Sequence, residues 1–198
     1  MININNLTGT SLSGMSTIRE RVEEDYYATP YESTKAILNN VNFIGDFLEP
    51  CVGGGHIADI IKQYYNTEIF CCDLVDRGYP NTLVTNFLTH KFSRKFDNII
   101  TNPPYSLAQE FLEKGMEVIN NGGKIAMFLK IQFLEGAKRR EMFIKYPPKC
   151  IYVFSKRQNP WRNGSPVDEK GKPWNSTMCF AWFIWEKGYA GEPIVRWL

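Results

Sequence analysis

The sequence predicts an α/β domain: a doubly wound, mostly parallel sheet of seven strands with helices on both faces. Three observations carry this expectation. Short apolar runs alternate with segments of helical periodicity along the chain, as strand–helix–strand crossovers do. Three glycines, Gly53-Gly54-Gly55, separate an apolar run from a helical one. Asn102-Pro103-Pro104-Tyr105 closes another apolar run in a rigid polar corner, because prolines donate no ladder hydrogen bonds and fix the backbone direction.

In chain order, residues 1–20 are polar and read as a flexible lead-in. Residues 21–198 read as a single domain, since no repeat or low-complexity linker divides them. Thr29 and Pro30 suit an N-cap and first helical position, with a helix to about Asn40. Strands are expected at 43–48, 68–72, 82–85, 97–101, 124–129, 150–154 and 178–185, with 194–198 as a further edge. Helices are expected at 56–65, with Ile57, Ile60, Ile61 and Tyr64 inward, at 109–120 after a Ser106 cap, and at 136–145. Gly122-Gly123 suits a left-handed helix end.

The bulk composition is that of an ordinary globular chain: 43% hydrophobic, 14% aromatic, net charge +2 over 198 residues. That charge is too small to imply nucleic acid or membrane unless cations cluster locally. The five cysteines, Cys51, Cys71, Cys72, Cys150 and Cys179, form no CxxC pair. Reduced thiols, no metal and a cytoplasmic location are therefore expected. Neither a signal-peptide pattern nor an apolar run of about 18 residues is present.

The glycine turn opens a helix, where backbone can approach a ligand closely. Asp73 ends the next strand, placing a carboxylate where ribose hydroxyls could donate to it. This half therefore reads as a nucleotide-type cofactor site. Residues 53–58 also fit the dinucleotide pattern, with Asp73 twenty residues after Gly53, which leaves NAD open. Glu49 sits before the glycines. A negative charge there disfavours a pyrophosphate and suits the ammonium and sulfonium of S-adenosylmethionine (SAM). Asn86 and Phe87 follow the third strand and could take the edge and face of an adenine. Cys51 reads as packing and His56 as solvent-facing.

These residues together resemble the class I SAM-dependent methyltransferases, with a Rossmann-like fold. Within that class they resemble the enzymes that methylate the exocyclic amino group of adenine in DNA. The likeness lies in Tyr27-Ala28-Thr29-Pro30, Glu49-Pro50-x-x-Gly53-x-Gly55, Asp73 and Asn102-Pro103-Pro104-Tyr105. The segments Ser155-Lys156-Arg157 and Ala181-Trp182-Phe183-Ile184-Trp185 look similar to those of phage and prophage methylases. The resemblance implies that Thr29, Pro30, Glu49, Gly53, Gly55 and Asp73 bind SAM. It implies that Asn102 and Pro103 accept from the target amino group, with Pro104 fixing the corner and Tyr105 stacking on the base. Asn86 stands where the family often has Asp. No large target-recognition domain accompanies these motifs, and enzymes acting on RNA or a protein glutamine share the Asn-Pro-Pro-Tyr motif. A catalytically idle nucleic-acid binder is a further alternative.

Such chemistry needs a flipped base and cations for the phosphates. The candidates are Arg139 and Arg140, beside Lys138, and Lys156, Arg157, Trp161 and Arg162 in the loop 155–175. That loop carries five cations against two anions, net +3, with Trp161 and Trp174 among them. A solvated helix face is the plainer reading of 138–140. The protein is expected to act on nucleic acid, DNA first, as a monomer or weak dimer.

Overall fold

The computed structural model describes residues 26–198, so the expectation for residues 1–20 lies outside them. The strands are β1 (Tyr27–Ala28), β2 (Phe47–Glu49), β3 (Ile69–Asp73), β4 (Leu83–Val84), β5 (Phe96–Thr101), β6 (Ile119–Lys130), β7 (Cys150–Val153), β8 (Trp161–Arg162), β9 (Phe180–Glu186) and β10 (Ile194–Trp197). The helices are α1 (Tyr31–Asn40), α2 (His56–Tyr65), α3 (Ala108–Val118) and α4 (Arg139–Lys145). Eight strands form one sheet in the order β10-β7-β9-β6-β5-β2-β3-β4, the seven expected strands with β10 as the further edge. All neighbours are parallel except β9, which runs antiparallel to both β6 and β7. β1 and β8 pair antiparallel in a small sheet of their own.

Residues of the central strands alternate between two cores, one on each face. In β9, Phe180, Trp182 and Ile184 join one core with Ile37 of α1 and Ile61 of α2. Ala181, Phe183 and Trp185 join the other with Leu112 of α3 and Met142 of α4. A strand covered on both faces reads as a continuous apolar run, as 180–185 does. The two buried indoles keep their N–H groups paired, Trp182 to Ser33 O at 2.8 Å and Trp185 to Tyr146 O at 3.0 Å.

Several local expectations need correction. Pro30, not Thr29, occupies the cap position of α1, and the helix starts at Tyr31. Ser106 lies in a 3-10 turn (Tyr105–Leu107) and caps nothing; α3 begins at Ala108 without a side-chain cap. Helix α3 ends at Val118, and Gly122-Gly123 lies within β6. There the pairing shifts from Phe96↔Ile119 to Asn98↔Lys124. A side chain at Gly123 would come within 2.7 Å of Asp97 O, so close strand approach, not a helix end, calls for glycine. Tyr64 is exposed at 41%, and Ala58 takes its expected place in the interior. Among the described residues, no helix is long and apolar enough to cross a membrane.

Candidate active site

Strand order reverses between β2 and β5: β3 and β4 continue to one side, β5 and β6 to the other. Ligands of open α/β sheets bind at the carboxyl ends of strands at such a point. Glu49 ends β2, Asp73 ends β3, and Asn102 follows Thr101 at the end of β5. β7 runs in the direction of β6, so the loop 155–175 leaves the sheet at this same end and returns into β9.

The glycine turn is braced from beneath. Asp73 accepts from Gly53 N at 2.8 Å and from Val75 N at 3.1 Å. Its carboxylate has lone pairs left for further donors. Gly55 takes φ +87° at the start of α2. A side chain there would lie 2.0 Å from the Tyr79 ring, whose hydroxyl donates to Asp59 at 2.8 Å. Tyr26 covers Gly53 and Gly54, with the Arg77 guanidinium 4.5 Å from its ring centroid. Gly55→Ala is therefore expected to cost at least about 1–2 kcal/mol for the left-handed backbone alone. Scanning calorimetry should show a lowered Tm, and titration a weaker cofactor.

Glu49 is buried at 1% exposure, and its Oε2 has no partner. Burial raises its pKa well above the ordinary carboxylate range; the nearby carboxylates of Asp73 and Asp59 add to this, and the Ala58 N–H offsets part. Thr29 Oγ1, Thr34 Oγ1, Thr101 Oγ1 and His56 Nδ1 are likewise buried without a hydrogen-bond partner. Buried polar atoms are ordinarily paired. Two of these unpaired groups, Glu49 and Thr101, lie at the carboxyl ends of β2 and β5, the strands that flank the switch point.

On the other side of the switch point, the Asn102 Nδ2 donates to Tyr27 O at 2.7 Å. Pro103 is buried and Pro104 exposed. The half-buried Tyr105 ring lies 6.0 Å from Phe180 by centroid, with Lys130 Nζ 5.0 Å from its own centroid. Burial, then the neighbouring Tyr27, raises the Tyr105 phenol above its ordinary range, and a hydrogen bond with the Asn102 side chain offsets part of this.

Other expected site residues fall elsewhere. Phe87 is a core residue, 3% exposed, with its ring 5.1 Å from Phe111; the adenine-stacking role is withdrawn because the ring is packed inside. Asn86 is exposed, and its Oδ1 accepts from Leu88 N at 3.0 Å, closing a turn. Leu74, directly after Asp73, is 67% exposed.

Among the cations, Arg139 folds back over Phe133 and donates to Glu135 O, so it organises its own turn. Arg140 and Lys156 are exposed. Arg157 donates to Ser176 O at 3.0 Å and joins the two arms of the loop. The loop makes contacts of its own. Trp174 donates to Ser165 O at 2.6 Å, and Val167 bridges Pro173. Arg162 pairs with Tyr27 and Trp161 with Ala28. The Trp161 ring stands edge-on to Tyr31 and His56, at 5.3 and 5.8 Å. His56, expected to face solvent, is half-buried and stacked on Tyr31 at 5.4 Å; burial lowers its pKa.

No family model and no curated protein sequence matches the chain. Solved structures do. A Listeria monocytogenes protein designated a class I SAM-dependent methyltransferase superposes with a TM-score of 0.61 at 13% identity, over 86% of this chain and 65% of its own. A Pyrococcus furiosus methyltransferase gives 0.58 at 18% identity, over 91% of this chain and 92% of its own. A modification subunit designated as belonging to a type I restriction enzyme of Vibrio vulnificus gives 0.58 at 14% identity, over 86% and 46%. The chain thus spans about two thirds of the first of these proteins and under half of the last. The protein has the Rossmann-like fold of the class I SAM-dependent methyltransferases.

Proposed function

We propose that the protein is a SAM-dependent methyltransferase acting on the exocyclic amino group of adenine in DNA. The observation that carries this reading is the orientation of Asn102. Tyr27 O can only accept, so the end of the Asn102 amide facing it is the NH2. The carbonyl Oδ1 is then the end left for an incoming donor. An amide carbonyl directed at an amino group, beside the backbone carbonyl of a rigid Pro103, draws that nitrogen toward tetrahedral geometry and stabilises its developing positive charge. No strong base is needed, since the nitrogen becomes acidic only after it is methylated.

The cofactor half fits a cationic, nucleoside-bearing group. Glu49, with an orphaned buried oxygen, answers an ammonium or sulfonium. Thr29 Oγ1 and the backbone around Gly53 and Gly55 complete that end, and Pro30 fixes the strap beside it. Asp73 retains acceptor capacity for ribose hydroxyls, and the exposed Leu74 offers adenine the apolar surface that Phe87 does not. A pyrophosphate would meet Glu49 unfavourably, which argues against NAD. When bound, SAM supplies the electrophilic methyl group.

The flipped base would stack on Tyr105, at about 1–3 kcal/mol per base. Arg140, Lys156 and Arg162 would take phosphates, with Arg139 and Arg157 shaping the segments that carry them. Isothermal titration with SAM and with NAD, followed by labelled methyl transfer to unmethylated DNA, bulk RNA and release-factor protein, tests the reading. SAM binding with transfer to DNA adenine is expected. NAD binding without SAM rejects the class, and transfer to RNA or protein alone rejects the acceptor.

A further inference from the structure

We propose that the strap at 26–28 is a positioning element for Asn102, and that Trp161 in the long loop is the positioning residue that locks it. The proposal rests on the reading of Asn102 as the acceptor clamp and goes beyond it. Tyr27 O fixes which end of the Asn102 amide faces the acceptor, so the clamp is only as well aimed as the strap is placed. A two-residue strand has no stability of its own. The strap is held from its other side by the loop: Tyr27 pairs with Arg162, Ala28 with Trp161, and Asn163 N donates to Tyr26 O at 2.8 Å.

The loop in turn needs a fixed point, and Trp161 supplies it. Its ring meets Tyr31 and His56 edge-on. Those residues begin α1 and α2, which pack on the sheet through Ile37 and Ile61. A second tether runs from Ser33 Oγ to Gln158 Oε1 at 2.7 Å. Scaffold, Trp161, strap and Asn102 thus form one chain of contacts. Trp161 acts on the chemistry through backbone, without touching the acceptor, and the loop that would carry the phosphate contacts also aims the catalytic amide.

Trp161→Ala should lower kcat by about 10²-fold, the effect of a small misplacement of reacting groups, a larger effect than any change in KM for nucleic acid or in the dissociation constant for SAM. Trp161→Phe, which keeps an aromatic edge, should recover most of the rate. Independently of activity, 15N-asparagine-labelled protein should show the Asn102 side-chain NH2, assigned by its loss in Asn102→Ala, exchanging with solvent faster in Trp161→Ala than in wild type. If Trp161→Ala does not fold, Gln158→Ala, which cuts the second tether, carries the same measurements. A raised KM with kcat intact would make Trp161 a direct nucleic-acid contact and overturn the proposal. An unchanged Asn102 resonance would overturn it too. Wild-type protein that binds no SAM and methylates nothing would instead sink the parent reading, while the exchange measurement still decides the strap.

Discussion

Asn102→Ala should abolish methyl transfer while SAM affinity stays within a few fold. On the proposed reading the side chain serves the acceptor half of the site, across the switch point from Glu49 and Asp73, so its loss should leave the cofactor contacts in place. Removing one preorganised group aimed at developing charge typically costs about 10²–10³ in kcat. Here the cost should lie at or above that range, because the same amide also ties β5 to the strap through Tyr27 O. Asn102→Asp sharpens the test. It keeps the shape and an acceptor oxygen but loses the NH2, setting a carboxylate against a carbonyl. An unmade bond of this kind costs about 1–3 kcal/mol, so the Asp variant should also be slow. Single-turnover transfer with saturating SAM measures both variants. Turnover near wild type in Asn102→Ala would place the chemistry elsewhere.

What the sequence made legible was what a local pattern can encode. The run Ala181-Trp182-Phe183-Ile184-Trp185 is apolar at every position, as a strand covered on both faces is. Its direction was not legible, since an apolar run reads the same either way; β9 is antiparallel because its chain enters from the loop at the carboxyl end of the sheet. Glu49, Gly53–Gly55, Asp73 and Asn102 could be placed at strand ends from their flanking runs. The strap could not be seen. β1 and β8 are two residues each and lie more than a hundred residues apart in the chain. Neither has a period to detect, and each exists only through the other. For the same reason His56 read as solvent-facing: the Tyr31 and Trp161 rings that cover it come from other segments. Phe87 and Leu74 show a different failure. Both are apolar residues just beyond strands, one buried and one exposed, and composition cannot say which of them the core takes.

Glu49→Gln should make the ligand-free protein more stable at neutral pH and a poorer binder of SAM. In the folded, ligand-free chain the carboxyl is buried with one oxygen unpaired, and burial raises its pKa. A raised folded-state pKa means that the folded protein holds this proton more tightly than the unfolded chain does. Its stabilising contribution is full below the unfolded carboxylate pKa and is lost as pH rises through the higher folded value. Wild-type Tm should therefore fall on raising pH through that window, and the slope should flatten in Glu49→Gln, whose amide carries no charge at any pH. Adding SAM should reverse the ranking. An ammonium or sulfonium beside Glu49 favours the ionised form, so binding should release a proton in the wild type and none in the variant. A hydrogen bond to a charged group is worth about 1.5–3 kcal/mol, and SAM affinity in Glu49→Gln should drop by the corresponding factor of roughly 10–100. Titration calorimetry in two buffers of different ionisation enthalpy counts the proton directly. Equal proton release by wild type and Glu49→Gln would show that the carboxyl is not the group facing the cation. Release confined to the wild type ties the cost of burying an unpaired carboxyl in the fold to its purpose in the site.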